Sequence, residues 1–420
     1  MKRSSIIPRS LLITVVILMM YVHSSIIFEL GKEERFLTDK DDIIAAKYST
    51  IWPFRKATSE WCYQERIRHR SNQDFKYPGL LFVKVPKTAS STLAGINSRI
   101  AHKVGERILP KTSRSIFGGL RSMFLNLGST EEQEQQQVCS HARTHGRDML
   151  LQRKSMRSRK PLLWSFVRDP AARVQSAFNH FEVSRKGVRP TLGHLISYTT
   201  EESSSNFQYK YLSTDTNPQF FLERNGDANA SCDKIIQDQI LKKYDFVGVV
   251  ERWAESLAVM ILLWNLQYSD VIVLPSKVAG GFDDGRFETA GNCKRIAQAG
   301  SSSVTKSAED EEYLESFWNT TFRAANEYDY RLYQMANEKL TKTIHALGHK
   351  RVQEVVKKVK ELEALSKEEC ASSAIFPCSS NGMWQYAESM KNCYWLDSGC
   401  GYPCIDRLVD SMKPVKDSND

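Results

Sequence analysis

Two short runs in this chain combine backbone amides, hydroxyls and cations in the way that phosphate binding requires. The first is Pro86-Lys87-Thr88-Ala89-Ser90-Ser91-Thr92. It lies between an apolar run, Leu80 to Val85, and residues Leu93, Ile96, Ile100 and Val104 at helical spacing. N–H groups at such a helix start point outward and attract anions. Thr88, Ser90, Ser91 and Thr92 add hydroxyl donors, and Lys87 puts positive charge where a leaving group gains negative charge. An ordinary Ser/Thr-rich helix cap has the same composition, and both glycines of the Walker A pattern are missing. The second run is Arg168-Asp169-Pro170-Ala171-Ala172-Arg173-Val174-Gln175-Ser176. Arg168 closes a strand-like run, where parallel sheets place ligands, and a guanidinium grips phosphate bidentately. Ser176 falls on the following helix and offers a hydroxyl to the same phosphate. The competing reading is a surface pair of Arg168 with Asp169.

Between the two runs stand His141 and His145. Either imidazole titrates near neutral pH and suits a general base; either is equally an ordinary surface or core histidine. Their spacing suits a zinc pair on a helix, but the Glu of H-E-x-x-H is absent. No C-x-x-C pair occurs either, so no metal is expected. Arg143, Arg147, Arg153, Lys154, Arg157, Arg159 and Lys160 form a basic run opposed only by Asp148. It reads as a track for an anionic glycan or as a solvated linker.

The elements that must hold these residues are strands alternating with helices. Strand-like runs occur at Leu80–Val85, Leu162–Val167, Phe246–Val250 and Val271–Leu274. Helical stripes follow the second, at Val174, Ala177, Phe178 and Phe181, and the third, at Leu257, Met260, Ile261 and Trp264. Pro170 suits the first turn of its helix. The pattern predicts an α/β fold, with a parallel sheet flanked by helices. Residues 131–137 are Gln/Glu-rich, and residues 275–308, rich in Gly, Ser and Asp, read as a mobile loop. Val352, Val355, Val356, Val359, Leu362 and Leu365 form an amphipathic stripe. It predicts a helix docked on the domain, with pairing in an oligomer as the alternative.

The N-terminus carries Lys2, Arg3 and Arg9, then an uncharged apolar stretch, Leu11 to Phe28, and acids only from Glu29 onward. A bilayer span takes ~20 residues, and positive charge before it predicts a cytosolic N-terminus and a lumenal body. A cleaved signal peptide, ending near Val22-His23-Ser24, is the alternative. Both send the body into the secretory pathway, where disulfides form. The chain has 9 cysteines, of which Cys370, Cys378, Cys393, Cys400 and Cys404 crowd the tail, so a stapled tail is expected without a readable connectivity. Asn229-Ala-Ser and Asn319-Thr-Thr are glycosylation acceptors. A formal net charge of +9 suits a polyanionic partner: nucleic acid, anionic glycan or a phosphate-rich cofactor. The N-terminal segment argues against nucleic acid.

Pro86 to Ser91 resembles the 5′-phosphosulfate loop of the Golgi carbohydrate sulfotransferases, a group that includes the heparan sulfate 2-O- and galactose 3-O-sulfotransferases. Val167-Arg168-Asp169-Pro170 with Ser176 is similar to the 3′-phosphate motif of the same family, in the same order and spacing. Cys139-Ser140-His141-Ala142-Arg143 resembles a Cys-x-His-x-Arg stretch of the galactose enzymes, and Phe207 to Leu212 is similar to a further family segment. The resemblance is at the level of motifs and covers roughly residues 77–340. It implies a P-loop-like sulfotransferase fold with 3′-phosphoadenosine 5′-phosphosulfate (PAPS) as donor and a glycan or polysaccharide hydroxyl as acceptor. It also implies a single-pass type II protein of the Golgi membrane with a lumenal catalytic domain. Carried over, Lys87 contacts the phosphosulfate and assists the leaving phosphate. Thr88, Ala89, Ser90, Ser91 and Thr92 surround that 5′ end, and Arg168 and Ser176 hold the 3′-phosphate. Of the two candidate bases, His141 has the neighbours that match the family better than those of His145. The expected organisation is a cytosolic tail at 1–10, an anchor at 11–28, a stem at 29–75, a catalytic domain at 76–350, and an amphipathic helix with a Cys-rich tail at 351–420. Other readings are sulfation of protein tyrosine or a small metabolite, or PAPS binding without turnover. A P-loop kinase or nucleotide hydrolase is disfavoured by the missing glycines and the lumenal address.

Overall fold

The computed structural model describes residues 51–55, 65–68, 74–77, 79–108, 139, 141–144, 162–201, 205–213, 228–275, 281–283, 293–297, 307–374, 378–379, 381–384 and 401–412. The expected anchor at 11–28 lies outside the described residues. Among the described residues no helix is long and apolar enough to cross a membrane.

Strands β1 (Glu65–Arg68) and β2 (Asp74–Tyr77) form an antiparallel ribbon. The central sheet comprises β3 (Leu80–Val83), β4 (His141–Thr144), β5 (Leu162–Val167) and β6 (Phe246–Val249). All its pairings are parallel, in the order β4-β3-β5-β6. Every residue of β3, β5 and β6 is buried, as strands covered by helices on both faces must be. The helices are α1 (Ser90–Ile108), α2 (Pro170–Ala177), α3 (Leu192–Thr200), α4 (Phe207–Leu212), α5 (Ala228–Ile236) and α6 (Trp253–Trp264). They continue with α7 (Tyr268–Val271), α8 (Ala308–Phe317), α9 (Glu327–Leu347), α10 (His349–Leu365) and α11 (Tyr402–Ser411). Helix α2 starts at Pro170, as the sequence predicts; Asp169 caps it, and it runs on into a π-helical stretch, Phe178–Arg185.

One expected strand is absent. Val271–Leu274 joins no sheet: Val271 ends the single turn α7, and Ile272 to Leu274 continue outside any strand with their side chains buried. A buried carboxylate explains the change. Asp270 and Gln267 form a capping box that pins the turn, and Arg107 at the end of α1 donates two hydrogen bonds of 2.6 Å to Asp270. The fourth strand of the sheet is instead β4, against β3.

The core is an aromatic lattice. Trp164 lies 4.5 Å from Phe82 and 6.0 Å from Trp264, centroid to centroid, and its indole N–H donates to Asn97 Oδ1 at 3.0 Å. Gly248 leaves room for the Phe166 ring, whose Cζ lies 2.4 Å from where a Cβ would sit. Trp52, in the stretch expected to be a stem, is fully buried against Phe246. Its backbone N–H donates to Thr343 Oγ1 and the Lys339 ammonium stands 3.9 Å above its ring. The amphipathic stripe docks as expected: Val352, Val355, Val356, Val359 and Leu362 of α10 are buried, and α10 packs on α6.

The tail is stapled by Cys370–Cys404, and Cys293–Cys378 ties it to the 275–308 segment. That segment is not wholly a mobile loop: β7 (Phe282–Asp283) pairs with β8 (Lys294–Arg295), and Lys294 donates to the Arg185 carbonyl at 2.6 Å. Cys139 is also disulfide-bonded, and Cys232 is free and buried. Helix α11 lies against α1. Tyr402 donates to the Gly95 carbonyl, the Arg99 guanidinium stacks 4.5 Å from the Tyr402 ring, and Arg99 and Lys103 both pair with Asp406.

Candidate functional site

The strands of the central sheet come in the chain as β3, β4, β5, β6 but lie as β4-β3-β5-β6. The direction of growth therefore reverses between β3 and β5. Connections leaving these two neighbours diverge, and such a switch point is where open α/β sheets place their ligands, beyond the carboxyl ends of the strands. Both cationic motifs of the sequence fall there: the Pro86–Ala89 loop after β3, and Arg168 directly after β5. Ser165 ties the two strands just below, its hydroxyl donating to the Val83 carbonyl at 2.7 Å. Arg168 Nη1 then donates to the Lys87 carbonyl at 3.2 Å and joins the two motifs directly.

The loop bends without glycine. Lys87 (φ +69°) and Ala89 (φ +54°) occupy the left-handed region on either side of Thr88, which does not. Each costs ~1–2 kcal/mol in a residue with a Cβ. Alternation of hand along a short run turns successive N–H groups to one side, into a concavity that suits an anion. The missing Walker glycines thus do not prevent the bend. Thr88 braces it from within: it is buried, and its hydroxyl donates to the Val85 carbonyl at 3.0 Å, so that proton is turned inward. Leu93 N–H to the Ala89 carbonyl, 3.1 Å, closes the first turn of α1. The amides of Ser90, Ser91 and Thr92 precede that bond, and no acidic residue stands in the first turn. Ser90 is buried; Ser91, Thr92, Lys87 and Ala89 are half-buried.

Arg168 is held on all sides. Its N–H donates to Gln208 Oε1 at 2.9 Å and its carbonyl accepts from Gln208 Nε2 at 2.8 Å. Its Nε is buried without a hydrogen-bond partner, with Glu251 Oε1 at 3.9 Å. Burial draws the guanidinium down from its usual pKa, against the pull of Glu251 and Asp169. Asp169 caps α2 by accepting from Ala172 N–H at 2.8 Å, and its own N–H donates to Glu251 at 3.0 Å. Ser176 lies half-buried on α2, one turn beyond Ala172. Glu251 and Gln208 carried no role in the sequence reading. Gln208 sits in the Phe207–Leu212 run, but its partner is remote in sequence, so spacing alone gives no signal for it.

Of the two candidate histidines, the described residues include His141. His141 begins β4 and pairs in register with Leu80, whereas Thr144 pairs with Val83. His141 therefore stands at the amino edge of the sheet, and the Lys87 loop at the carboxyl edge. The three intervening steps span ~10 Å at strand rise. His145 and most of the basic run from Arg147 to Lys160 lie outside the described residues. Among the described residues no cluster of three ligating side chains could hold a metal ion.

No protein-family model matches the chain, and no curated protein matches it.

Proposed function

We propose that this chain is a sulfotransferase that takes a sulfuryl group from PAPS and places it on a hydroxyl of a glycan in the Golgi lumen, anchored through residues 11–28. The observation that carries the reading is the hydrogen bond from Arg168 to the Lys87 carbonyl at the switch point of the parallel sheet. It couples a glycine-free anion loop to a half-buried guanidinium, and a nucleotide phosphorylated at both ends needs two such anchors. The residues fit the donor: the first turn of α1 carries no acidic residue, and Arg168 Nε has unspent donor capacity.

PAPS supplies the sulfuryl group and leaves as adenosine 3′,5′-bisphosphate. The loop amides and the Ser90, Ser91 and Thr92 hydroxyls bind the 5′ end, while Arg168 and Ser176 hold the 3′-phosphate. The Lys87 ammonium offsets the charge that gathers on the leaving oxygen as the S–O bond to phosphate breaks. The new S–O bond forms to the acceptor oxygen, whose proton must pass to a base. The candidates are His141, which begins β4, and His145, which follows β4 in the chain, and we assign the role to His145.

The test incubates the full-length chain with sulfur-labelled PAPS and a panel of desulfated polysaccharides, galactosides and tyrosine peptides. Label on a glycan is expected. Label confined to peptides would shift the acceptor to protein. No label, with no protection from heat by adenosine 3′,5′-bisphosphate, overturns the reading. Lys87→Ala is expected to lower transfer by ~10²-fold or more with the fold intact; near-normal turnover removes Lys87 from the mechanism. His145→Ala should cost ~10²–10⁴ in rate and His141→Ala far less; the reverse order would restore His141 as the base.

A further inference from the structure

We infer that Gln208, fixed in place by Asp329, is a positioning residue that aims Arg168 at the 3′-phosphate and so sets the preference for a 3′-phosphorylated nucleotide. The inference rests on the assignment of Arg168 above.

Arg168 is the first residue beyond β5. Sheet pairing stops before it: β5 is last paired with β3 at Trp164 and with β6 at Val167. Its backbone N–H and carbonyl would then lack the partners that a buried main chain requires. The fully buried Gln208 side chain supplies both, one bond in each direction, and acts as a one-residue extension of the sheet. Two hydrogen bonds to one residue fix its main chain, hence the direction in which the guanidinium leaves and its bond to the Lys87 carbonyl.

Gln208 is itself placed by a carboxylate from a distant helix. Helix α4 has only six residues, too short to be stable alone. The fully buried Asp329 of α9 accepts from Gln208 N–H at 3.1 Å and from Tyr209 N–H at 2.7 Å, satisfying the start of α4. Asn206, at φ +46°, completes a reciprocal lock. Its N–H donates to Asn326 Oδ1 at 2.9 Å, its side-chain amide donates to the Ala325 carbonyl, and its Oδ1 accepts from Asp329 N–H. Two helix starts thus cap each other. Arg173, one turn into α2, stacks 4.4 Å over Phe207 and brings a buried positive charge toward Asp329. The chain of contacts runs from Asp329 through Gln208 to Arg168 and on to Lys87, ending on the two groups that would hold opposite ends of the nucleotide.

The experiment titrates adenosine 3′,5′-bisphosphate and adenosine 5′-monophosphate calorimetrically into the full-length chain and into Gln208→Met and Asp329→Asn. Methionine keeps the volume of Gln208 and removes both bonds; asparagine keeps the shape of Asp329 and one acceptor. Gln208→Met is expected to weaken the bisphosphate ~10-fold or more and the monophosphate less than ~3-fold, with a smaller change of the same kind for Asp329→Asn. In an Arg168→Ala background Gln208→Met should leave the ratio of the two affinities unchanged, since its effect passes through Arg168. Equal weakening of both ligands means a general scaffolding role and overturns the inference, as does an unchanged ratio. A wild-type chain with no preference for the bisphosphate refutes the donor-site reading itself. If Gln208→Met shows no cooperative melt, Asp329→Asn decides alone.

Discussion

Removing the Cys370–Cys404 staple should release the tail from the helix that carries the anion loop. The disulfide joins residues 34 positions apart. Closing a loop of that size removes unfolded-chain entropy worth ~4 kcal/mol. Helix α11 is anchored by four buried apolar side chains, Tyr402, Ile405, Leu408 and Val409, besides its bonds to α1. Each such side chain contributes ~1.5–3 kcal/mol, whereas ordering each residue of backbone costs ~1–2 kcal/mol. Over the ten residues of α11 the ordering cost, ~10–20 kcal/mol, is larger than the ~6–12 kcal/mol from those four side chains, so the staple weighs on whether the helix stays docked. The double substitution Cys370→Ala/Cys404→Ala is therefore expected to raise the open fraction of α11 ~10³-fold. Hydrogen exchange of the Tyr402–Ser411 amides reads this directly. Amides in α1 near Arg99, which is 2% exposed under the tail, should lose protection with them, while those of β5 should not. A change of less than ~10-fold in α11 protection would refute the entropic account. Loss of protection in α11 without any change in α1 would refute the coupling of tail to loop helix.

Two further outcomes test the packing. Gly248→Ala places a methyl group 2.4 Å from the Phe166 ring and should cost ~1–3 kcal/mol by denaturant titration, partly restored by Phe166→Leu; a neutral Gly248→Ala would mean the sheet yields there. Burial brings Lys339 to about 8 in the folded chain, from 10.5. The unfolded chain then binds the extra proton between these values, so stability rises with pH from 8 upward and the full penalty, ~3 kcal/mol, applies below 8. Buried Cys232 and half-buried Tyr211, Tyr328, Tyr330 and Tyr333, all pushed up to about 12, act in the opposite sense above their unfolded values. The difference in melting temperature between the wild type and Lys339→Met is thus the readout: it should move toward the wild type from pH 8 to 9, and a constant difference would refute a charge effect.

The parts of the fold visible in the sequence are those decided locally. Leu80–Val83, Leu162–Val167 and Phe246–Val249 are apolar runs of the kind a doubly covered strand buries, and Pro170 marks the start of α2 in its own chemistry. Elements decided by distant partners were not visible. His-Ala-Arg-Thr at 141–144 has a single apolar residue, yet it pairs along β3. Val271–Leu274 has the composition of a strand, yet the Arg107–Asp270 pair imposes a turn of helix at its head. Within the site, Lys87, Arg168 and the hydroxyls carry their chemistry in their residue types. The left-handed bend at Lys87 and Ala89 does not, because no glycine announces it. Nor does Gln208, whose meaning depends on a main chain 40 residues away.

The bond between Tyr402 and Gly95 spans 307 positions. At ~5–20 residues per second, a ribosome delivers α11 roughly 15–60 s after α1. For that interval the nascent chain holds its anion loop and the helix behind it with one flank bare, its Arg99 lacking both the Tyr402 ring and the Asp406 carboxylate. The helix at the centre of the candidate site is thus among the last parts of the molecule to be finished. A nascent chain stalled before residue 402 presents chaperones with a formed parallel sheet and an unfinished nucleotide cradle.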